Sequence, residues 1–286
     1  MADTRSNPSL IVDDRTGRRI ALNVSENAAI GVLDSGMGGI SVLNEMRVLM
    51  PSERFLYVAD SAHVPYGPKS PQYIQARCGL IARFLIERGV KALVIACNTA
   101  TAAAAEQLRA TYEVPVIGME PAVKPASAAT KRRVVGVLAT SGMLASARFA
   151  ALLDRFAGGI RVVTRAAPEL VLLVEAGDLS SAAARAACES AVRPLVDAGA
   201  DVIVHGCTHF PFFKPLIADI VGTEVIQIDT GAAVARHLNH VLRTRDLLAR
   251  ELEGGAEFFT SGEVAKASVV VGRLYGEATV QALPDS

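Results

Sequence analysis

Short apolar runs rich in β-branched residues alternate along the chain with longer stretches in which apolar residues recur every three to four positions. The short runs predict buried strands, and the longer stretches predict amphipathic helices. Alternation of the two is typical of parallel sheets joined by crossover helices, so we expect an α/β fold. The predicted strands span 30–33, 55–58, 92–96, 114–118, 134–138, 161–164, 202–205, 225–228 and 257–259.

One pattern occurs twice in the chain. Residues 91–101 (KALVIACNTAT) and 200–211 (ADVIVHGCTHFP) are each predicted to form an apolar strand that ends in a cysteine and polar residues. The repeat predicts two pseudosymmetric domains, each with a mostly parallel sheet flanked by helices, and one active site in the cleft between them. We place the first domain at 28–121 plus 229–286 and the second at 122–228, since prolines interrupt the pattern near 121–125. Residues 1–27 are expected to be a flexible extension or an accessory strand.

The composition of the chain argues against several classes of partner and location. The 29 basic and 29 acidic residues cancel, so neither nucleic acid nor an anionic membrane is an expected partner. The polar start of the chain lacks a signal peptide, and no apolar run is long enough to span a bilayer, so a cytoplasmic protein is expected. The four cysteines are expected to be free thiols. Cys78 and Cys188 fall at helical spacing with apolar residues, which predicts core positions.

Polar and reactive residues follow the predicted strands, at the sheet edge where α/β proteins bind ligands. The glycine-rich turn at 34–39 (DSGMGG) matches neither a dinucleotide fingerprint nor a P-loop, but its amides can receive an anion. The loop containing Tyr66 and Gly67 is of interest because it lies in register with the other strand ends. Taken alone, each of these segments is also explained as an ordinary turn.

Cys97 and Cys207 each precede hydrogen-bonding side chains where a helix is predicted to start, which favours the thiolate. Because an ordinary thiol is mostly protonated at neutral pH, each thiol needs a proton acceptor, and Asp34 and His209 are candidates. Glu175 either orients a histidine or lies in solvent. Two alternatives remain open: inert buried cysteines, and a zinc site built from the motif at 205–209 (HGCTH) with Cys97.

The motifs LDSGMGG, VPYGPKS, VIACNTAT and GCTHFP, in this order and spacing, resemble the glutamate racemase family of the aspartate/glutamate racemase superfamily. The resemblance runs from about residue 29 to 275 and implies racemisation of L- and D-glutamate for peptidoglycan synthesis, without organic cofactor or metal. It implies that Cys97 acts on D-glutamate and Cys207 on L-glutamate. A homodimer is left open. The resemblance also implies that Asp34 assists Cys97 and that Glu175 and His209 assist Cys207. The implied substrate contacts are Asp34, Ser35, Tyr66, Gly67, Asn98, Thr99, Thr208 and His209.

Six positions depart from the family's usual pattern, and all follow residue 140. They leave two rival functions open: a racemase of the same fold acting on aspartate or a related substrate, and a ligand-binding homologue without turnover. If the two thiols act on opposite faces of one substrate, the sulfurs of Cys97 and Cys207 should lie roughly 7 to 8 Å apart across one amino-acid-sized gap. The departing residues are Met143, Phe149, Ala167, Leu172, His205 and Phe210.

Overall fold

The computed structural model describes residues 8–12, 19–23, 25–250 and 253–284. Its strands are β1 (Pro8–Val12), β2 (Arg19–Asn23), β3 (Ile30–Asp34), β4 (Arg54–Ala59), β5 (Ala92–Ile95), β6 (Val116–Ile117), β7 (Val134–Ala139), β8 (Arg161–Ala166), β9 (Val202–His205), β10 (Ile226–Ile228), β11 (Gly255–Thr260) and β12 (Val280–Ala282). Its α-helices are α1 (Ile40–Leu49), α2 (Pro71–Glu87), α3 (Asn98–Thr111), α4 (Val123–Ala129), α5 (Ser141–Leu144), α6 (Ala147–Phe156), α7 (Pro168–Glu175), α8 (Ala182–Asp197), α9 (Lys214–Val221), α10 (Gly231–Thr244) and α11 (Val264–Leu274).

Two parallel sheets carry the fold. The larger has the order β12-β11-β4-β3-β5-β6, and the smaller has the order β10-β9-β7-β8. All neighbouring strands in both sheets run parallel, and helices connect them. The predicted α/β class with two parallel sheets is therefore confirmed.

The strand order repeats between the sheets. Strands β3 to β6 lie in the order β4-β3-β5-β6, and strands β7 to β10 lie in the same relative order, β8-β7-β9-β10. Cys97 follows β5 and Cys207 follows β9, and these are the third strands of the two units. The two thiols therefore occupy equivalent places at the carboxyl ends of their sheets. The exact domain limits at 121/122 and 228/229 stay a prediction.

Local sequence explains where several helices begin. A side-chain oxygen or sulfur before the first turn accepts a backbone N–H that has no partner within the helix. In α2 this cap precedes a proline at the first helical position, where its missing N–H costs nothing. The capping residues are Ser70, Cys97, Thr140, Ser146 and Ser181.

All nine strands predicted from apolar runs are present, with ends shifted by one or two residues. β6 is shorter than its apolar run, with only Val116 and Ile117 in the ladder. The short edge strand β12 was not predicted, because only Val280 in it is buried. Cys78 and Cys188 are fully buried, as their helical spacing predicts. No helix in the described part of the chain is long and apolar enough to cross a membrane.

The amino-terminal extension is described only in part. β1 and β2 pair as antiparallel strands, with Pro8 opposite Asn23 and Val12 opposite Arg19. Residues 1–7, 13–18 and 24 lie outside the described residues, so the expected flexibility of 1–27 stays a prediction.

A buried ion pair joins the starts of two elements of the larger sheet. Lys91 Nζ lies 2.6 Å from Glu53 Oε2, and both side chains are almost fully buried. Lys91 also donates to the Glu26 carbonyl at 2.5 Å, and the other carboxylate oxygen of Glu53 accepts the N–H of Ala249 at 2.9 Å. The pair therefore links four separate segments of the chain.

Replacing Lys91 with methionine is expected to lower the free energy of unfolding by about 3 to 5 kcal/mol, because it leaves the Glu53 carboxylate buried without a counter-charge. Urea unfolding at pH 7 measures the loss. Lys266→Met is the matched control, since Lys266 and Glu263 also lie 2.6 Å apart but are 80% and 58% exposed; that change should leave the midpoint of urea unfolding almost unchanged. Equal losses in the two variants would contradict the role given to burial.

Candidate active site

A cleft at the carboxyl ends of both sheets brings the two cysteine motifs together. Backbone and side chains from strand-end segments of both units form its wall. The lining residues are Ser35, Pro65, Tyr66, Gly67, Cys97, Asn98, Thr99, Thr140, Val171, Gly206, Cys207, Thr208 and His209. Both thiols thus face one cavity, and each is less than a tenth exposed.

Cys97 caps α3, as the predicted helix start requires. Its sulfur accepts the N–H of Ala100 at 3.4 Å and lies 3.6 Å from the Ser35 hydroxyl. These contacts favour the thiolate, but burial and the nearby charge of Asp34 outweigh them and raise the pKa of Cys97 to about 12. Cys97 is therefore a neutral thiol at rest, and the expected effect of the helix start on its ionisation is reversed by burial.

Asp34 lies behind Ser35, at the end of β3. Its Oδ2 accepts the N–H of Gly39 at 2.7 Å, whereas its Oδ1 is buried and has no hydrogen-bond partner among the described residues. Burial raises the pKa of Asp34 to about 6, although the charge of His209 opposes this. Asp34 is not among the residues that line the cleft, although the sequence motif predicts it as a substrate contact.

Cys207 has a different environment. The helix predicted after Cys207 begins as a 3-10 helix at Phe210–Phe213, which leads directly into α9 at Lys214, so Cys207 does not cap an α-helix as Cys97 does. Instead its sulfur lies 3.5 Å from His209 Nδ1, and His209 Nε2 lies 2.7 Å from Glu175 Oε1. Burial lowers the pKa of His209, but the negative charges of Cys207 and Glu175 outweigh this and hold the pKa well above its usual value. Each ring nitrogen of His209 therefore faces a group that can carry a negative charge.

Several contacts join the two units across the cleft. The carboxylate of Glu175 accepts the N–H of Met37 at 2.6 Å, and the Ser41 hydroxyl donates to the Thr208 carbonyl at 2.8 Å. The hydroxyls of Thr99 and Thr140 lie 2.8 Å apart at the cleft wall. The units are thus in a closed arrangement, in which hydrogen bonds to a bound anion gain strength because water is excluded.

The expected substrate contacts lie around this cavity, with one difference in chemistry. The two amide atoms of Asn98 are buried without partners in the described chain, so they are available to a ligand. The Tyr66 hydroxyl is not available, because it donates to Asp60 Oδ2 at 2.6 Å, and Arg77 holds the same carboxylate. Tyr66 therefore borders the cleft with its hydroxyl already engaged by Asp60.

Sequence reasoning did not select all of the cleft residues. Thr140 and Val171 line the cavity, and Tyr57 lies beneath Asp34. Thr140 carries a signal that could have identified it, since it is the polar residue directly after β7, as Ser35 is directly after β3. Val171 and Tyr57 are apolar or aromatic members of buried segments, and nothing in the local pattern distinguishes them from core.

None of the six residues that depart from the family pattern lines the cleft. Met143, Phe149 and Phe210 are buried, whereas Leu172 is 55% exposed. His205 is buried, and its Nε2 lies 3.0 Å from the side-chain oxygen of Gln227. Within the described ranges, no three His, Cys, Asp or Glu side chains are arranged to hold a metal ion.

The fold and the site define an α/β protein whose candidate active site is built from two related units that each supply one thiol. Comparison with known proteins gives the family. Residues 40–238 match the family model described as Asp/Glu/Hydantoin racemase, and the chain belongs to that family.

Named relatives agree with this assignment. A glutamate racemase of Pseudomonas aeruginosa is 55% identical over 252 residues, which cover 88% of this chain and 95% of the relative. A glutamate racemase isoform from Bacillus anthracis superposes with a TM-score of 0.81 at 31% identity, covering 91% of this chain and 98% of that one. The Escherichia coli glutamate racemase, solved with L-glutamate and the activator UDP-MurNAc-Ala, has a TM-score of 0.79 at 29% identity and covers 89% and 98%.

Proposed function

We propose that this protein interconverts L- and D-glutamate by a two-thiol mechanism that uses no organic cofactor or metal. The observation that carries the proposal is the pair of thiols in one cleft, each with its own group that can exchange a proton: Asp34 for Cys97, and His209 with Glu175 for Cys207. Inversion at a carbon requires a proton to leave one face and another to arrive at the opposite face. Two thiols from two sheets provide these two positions.

In one direction, Cys207 is the base and Cys97 is the acid. The charged imidazole of His209 donates to the Cys207 sulfur and stabilises the thiolate, which takes the α-proton of L-glutamate. Cys97, protonated at rest because burial raises its pKa, delivers its proton to the other face of the carbanion. The products are D-glutamate, a protonated Cys207 and a Cys97 thiolate.

In the other direction, Cys97 must first lose its proton, and Asp34 is the proposed acceptor. Its carboxylate is ionised above about pH 6 and has one oxygen free to receive the proton. Cys97 then removes the α-proton of D-glutamate, and Cys207 takes the Nδ1 proton of His209 and delivers it to the opposite face. This leaves Asp34 protonated and His209 neutral, and proton exchange with solvent restores both. His209 and Glu175 hold the charge that appears on Cys207 in each cycle.

In this proposal, the hydrogen-bond donors around the cavity bind the substrate. The carbanion intermediate carries several negative charges, which fixed N–H and O–H groups stabilise best in a site without water. We assign this role to the hydroxyls and amides of Ser35, Gly67, Asn98, Thr99, Thr208 and His209, together with Thr140, while Tyr66 shapes the wall.

The cellular role follows from the product. We propose that the protein acts in the cytoplasm and supplies D-glutamate for peptidoglycan synthesis and hence for the cell wall. Its expected partner is the small-molecule substrate, with neither nucleic acid nor membrane involved. A homodimer is the alternative to a monomer, and light scattering of the purified protein distinguishes them.

Solvent deuterium uptake tests the substrate assignment. In deuterated buffer, both enantiomers of glutamate should exchange the α-hydrogen and reach a racemic mixture, while aspartate should exchange at least about tenfold more slowly, since one methylene in a pocket is worth about 10- to 200-fold in specificity. Proton NMR and polarimetry follow the two processes. Faster exchange with aspartate would move the specificity to that substrate. Thermal stabilisation by glutamate without exchange would identify a binding protein without turnover.

A further inference from the structure

The hydroxyl of Tyr57 lies directly beneath the glycine-rich turn. Tyr57 is on β4, is fully buried, and donates to the Gly36 carbonyl at 2.8 Å. The same hydroxyl proton is shared with Asp34 Oδ2, which lies 3.3 Å from the hydroxyl oxygen, in a bifurcated hydrogen bond. Tyr57 therefore contacts both the turn that borders the cleft and the Asp34 carboxylate, which is the proposed acceptor of the Cys97 proton.

The two oxygens of Asp34 are not equivalent. Oδ2 faces the N–H of Gly39 at 2.7 Å, the N–H of Gly36 at 3.4 Å and the Tyr57 hydroxyl. Oδ1 has no partner among the described residues. Because an oxygen that accepts several hydrogen bonds is less basic, an incoming proton binds at Oδ1.

The ring of Tyr57 is fixed from behind. Its centroid lies 5.4 Å from that of Phe258 on β11, and Phe258 makes an edge contact with Tyr275 at 4.9 Å. A methyl group at Gly39 would come within 2.8 Å of the Tyr57 hydroxyl and 2.9 Å of Asp34 Cβ, so the space around these atoms is filled. Tyr57 has no room to move away from Asp34.

We propose that Tyr57 is a positioning residue that anchors Oδ2 of Asp34, leaves Oδ1 free for the proton of Cys97, and keeps Asp34 ionised at neutral pH. The inference rests on the proposed role of Asp34 as the proton acceptor. Tyr57 itself stays neutral, since burial and the charge of Asp34 hold its pKa well above the usual value.

Removing the hydroxyl has a predictable sign. The carboxylate loses a donor while the other groups around it remain, so the pKa of Asp34 rises further above its usual range. The titratable groups that surround Asp34 are Tyr57 on β4, Cys78 on α2, Cys97 before α3, Glu175 on α7, and His209. Of these, only Tyr57 is changed by the substitution.

The test is the pH dependence of kcat/KM in Tyr57→Phe. Because the equilibrium constant of a racemisation is one, kcat/KM is the same in both directions and one direction suffices. The acid limb should move up by about half to one pH unit, which corresponds to a loss of roughly two- to fivefold at pH 6 and almost none above pH 8. Tyr275→Phe removes a hydroxyl from the same aromatic group outside the cleft and should leave the profile unchanged.

Direct titration of the Asp34 carboxyl separates this inference from the proposed function. Carbon-13 NMR of the labelled aspartates, assigned with Asp34→Asn, reports the pKa in folded wild type and Tyr57→Phe, with a thermal melt to show that both are folded. A raised Asp34 pKa with a shifted acid limb supports both ideas. A raised pKa with an unshifted limb supports the anchoring by Tyr57 and rejects Asp34 as proton acceptor. An unchanged pKa, or an equal loss of activity at all pH values, overturns the inference.

Discussion

Replacing either Cys97 or Cys207 with alanine is expected to lower the racemisation of glutamate by at least about 10³-fold, because each variant lacks the proton donor or acceptor on one face of the substrate. The mutual dependence follows from the geometry, since one cleft holds both thiols and each is supplied by a different sheet. Initial rates by polarimetry or by a coupled assay in both directions measure the loss.

The single variants should differ in a second readout. In Cys97→Ala, the pair of Cys207 and His209 remains, so slow exchange of the α-hydrogen of L-glutamate with deuterated solvent is expected without inversion. In Cys207→Ala, the same one-sided exchange is expected for D-glutamate. Exchange of the opposite enantiomer in each case would reverse the assignment of thiols to faces.

Cys188→Ala is the matched control for these variants. Cys188 is a fully buried free thiol in α8, outside the cleft, and its replacement should leave kcat/KM within about twofold. Measurable racemisation by both Cys97→Ala and Cys207→Ala would rule out the two-thiol mechanism. A comparable loss in Cys188→Ala would show that the variants lose activity because the fold is less stable and not because a reacting thiol is missing.

The sequence predicts the scaffold well because the signals that define it are local. Strands buried on both faces appear as continuous apolar runs, and the repeated strand with its terminal cysteine reveals two related units. Since parallel strands present their carboxyl ends at one edge, the residues after those strands could be placed together before any coordinates were known. Thr140, which sequence reasoning did not select, also belongs to this set because it directly follows β7.

The contacts that tune the site were not predictable in the same way. Glu175 accepts the N–H of Met37, 138 residues away in the chain, and the Tyr66 hydroxyl is taken by Asp60. Such pairings depend on how helices and sheets dock, which local pattern does not encode. The ionisation of Cys97 differs from its prediction for a related reason. The helix start at Cys97 is visible in the local sequence, whereas the burial that outweighs it is a property of the whole fold.

Asp34→Asn is expected to make the protein more stable and less active. Folding raises the pKa of Asp34 from 3.8 to about 6, because the carboxylate is buried. The charged form is therefore disfavoured in the folded state, by about 3 kcal/mol for a shift of this size. This unfavourable contribution is absent below about pH 4, where Asp34 is protonated in both the folded and unfolded states, and is complete above about pH 6.

Asparagine fits the same place without a charge. Its oxygen can accept the N–H of Gly39, which lies 2.7 Å from Oδ2, and its amide nitrogen takes the position of the unpartnered Oδ1. Urea unfolding should show a gain of up to about 3 kcal/mol at pH 8 that shrinks as the pH falls through 6 towards 4. Over the same range, kcat/KM should be about 10²-fold below wild type and should lose its acid limb near pH 6.

Asp60→Asn is the control of opposite sign, because Asp60 ends the neighbouring strand β4 and is equally buried. Burial raises its pKa, but hydrogen bonds from Arg77 and Tyr66 outweigh this, and the pKa is lowered below the usual value. Its charge therefore stabilises the fold above about pH 4, and the asparagine variant should lose stability from pH 5 to 8. Loss of stability in Asp34→Asn as well would mean that Asp34 is held by its contacts as a structural carboxylate, and the proton transfer from Cys97 would need another acceptor.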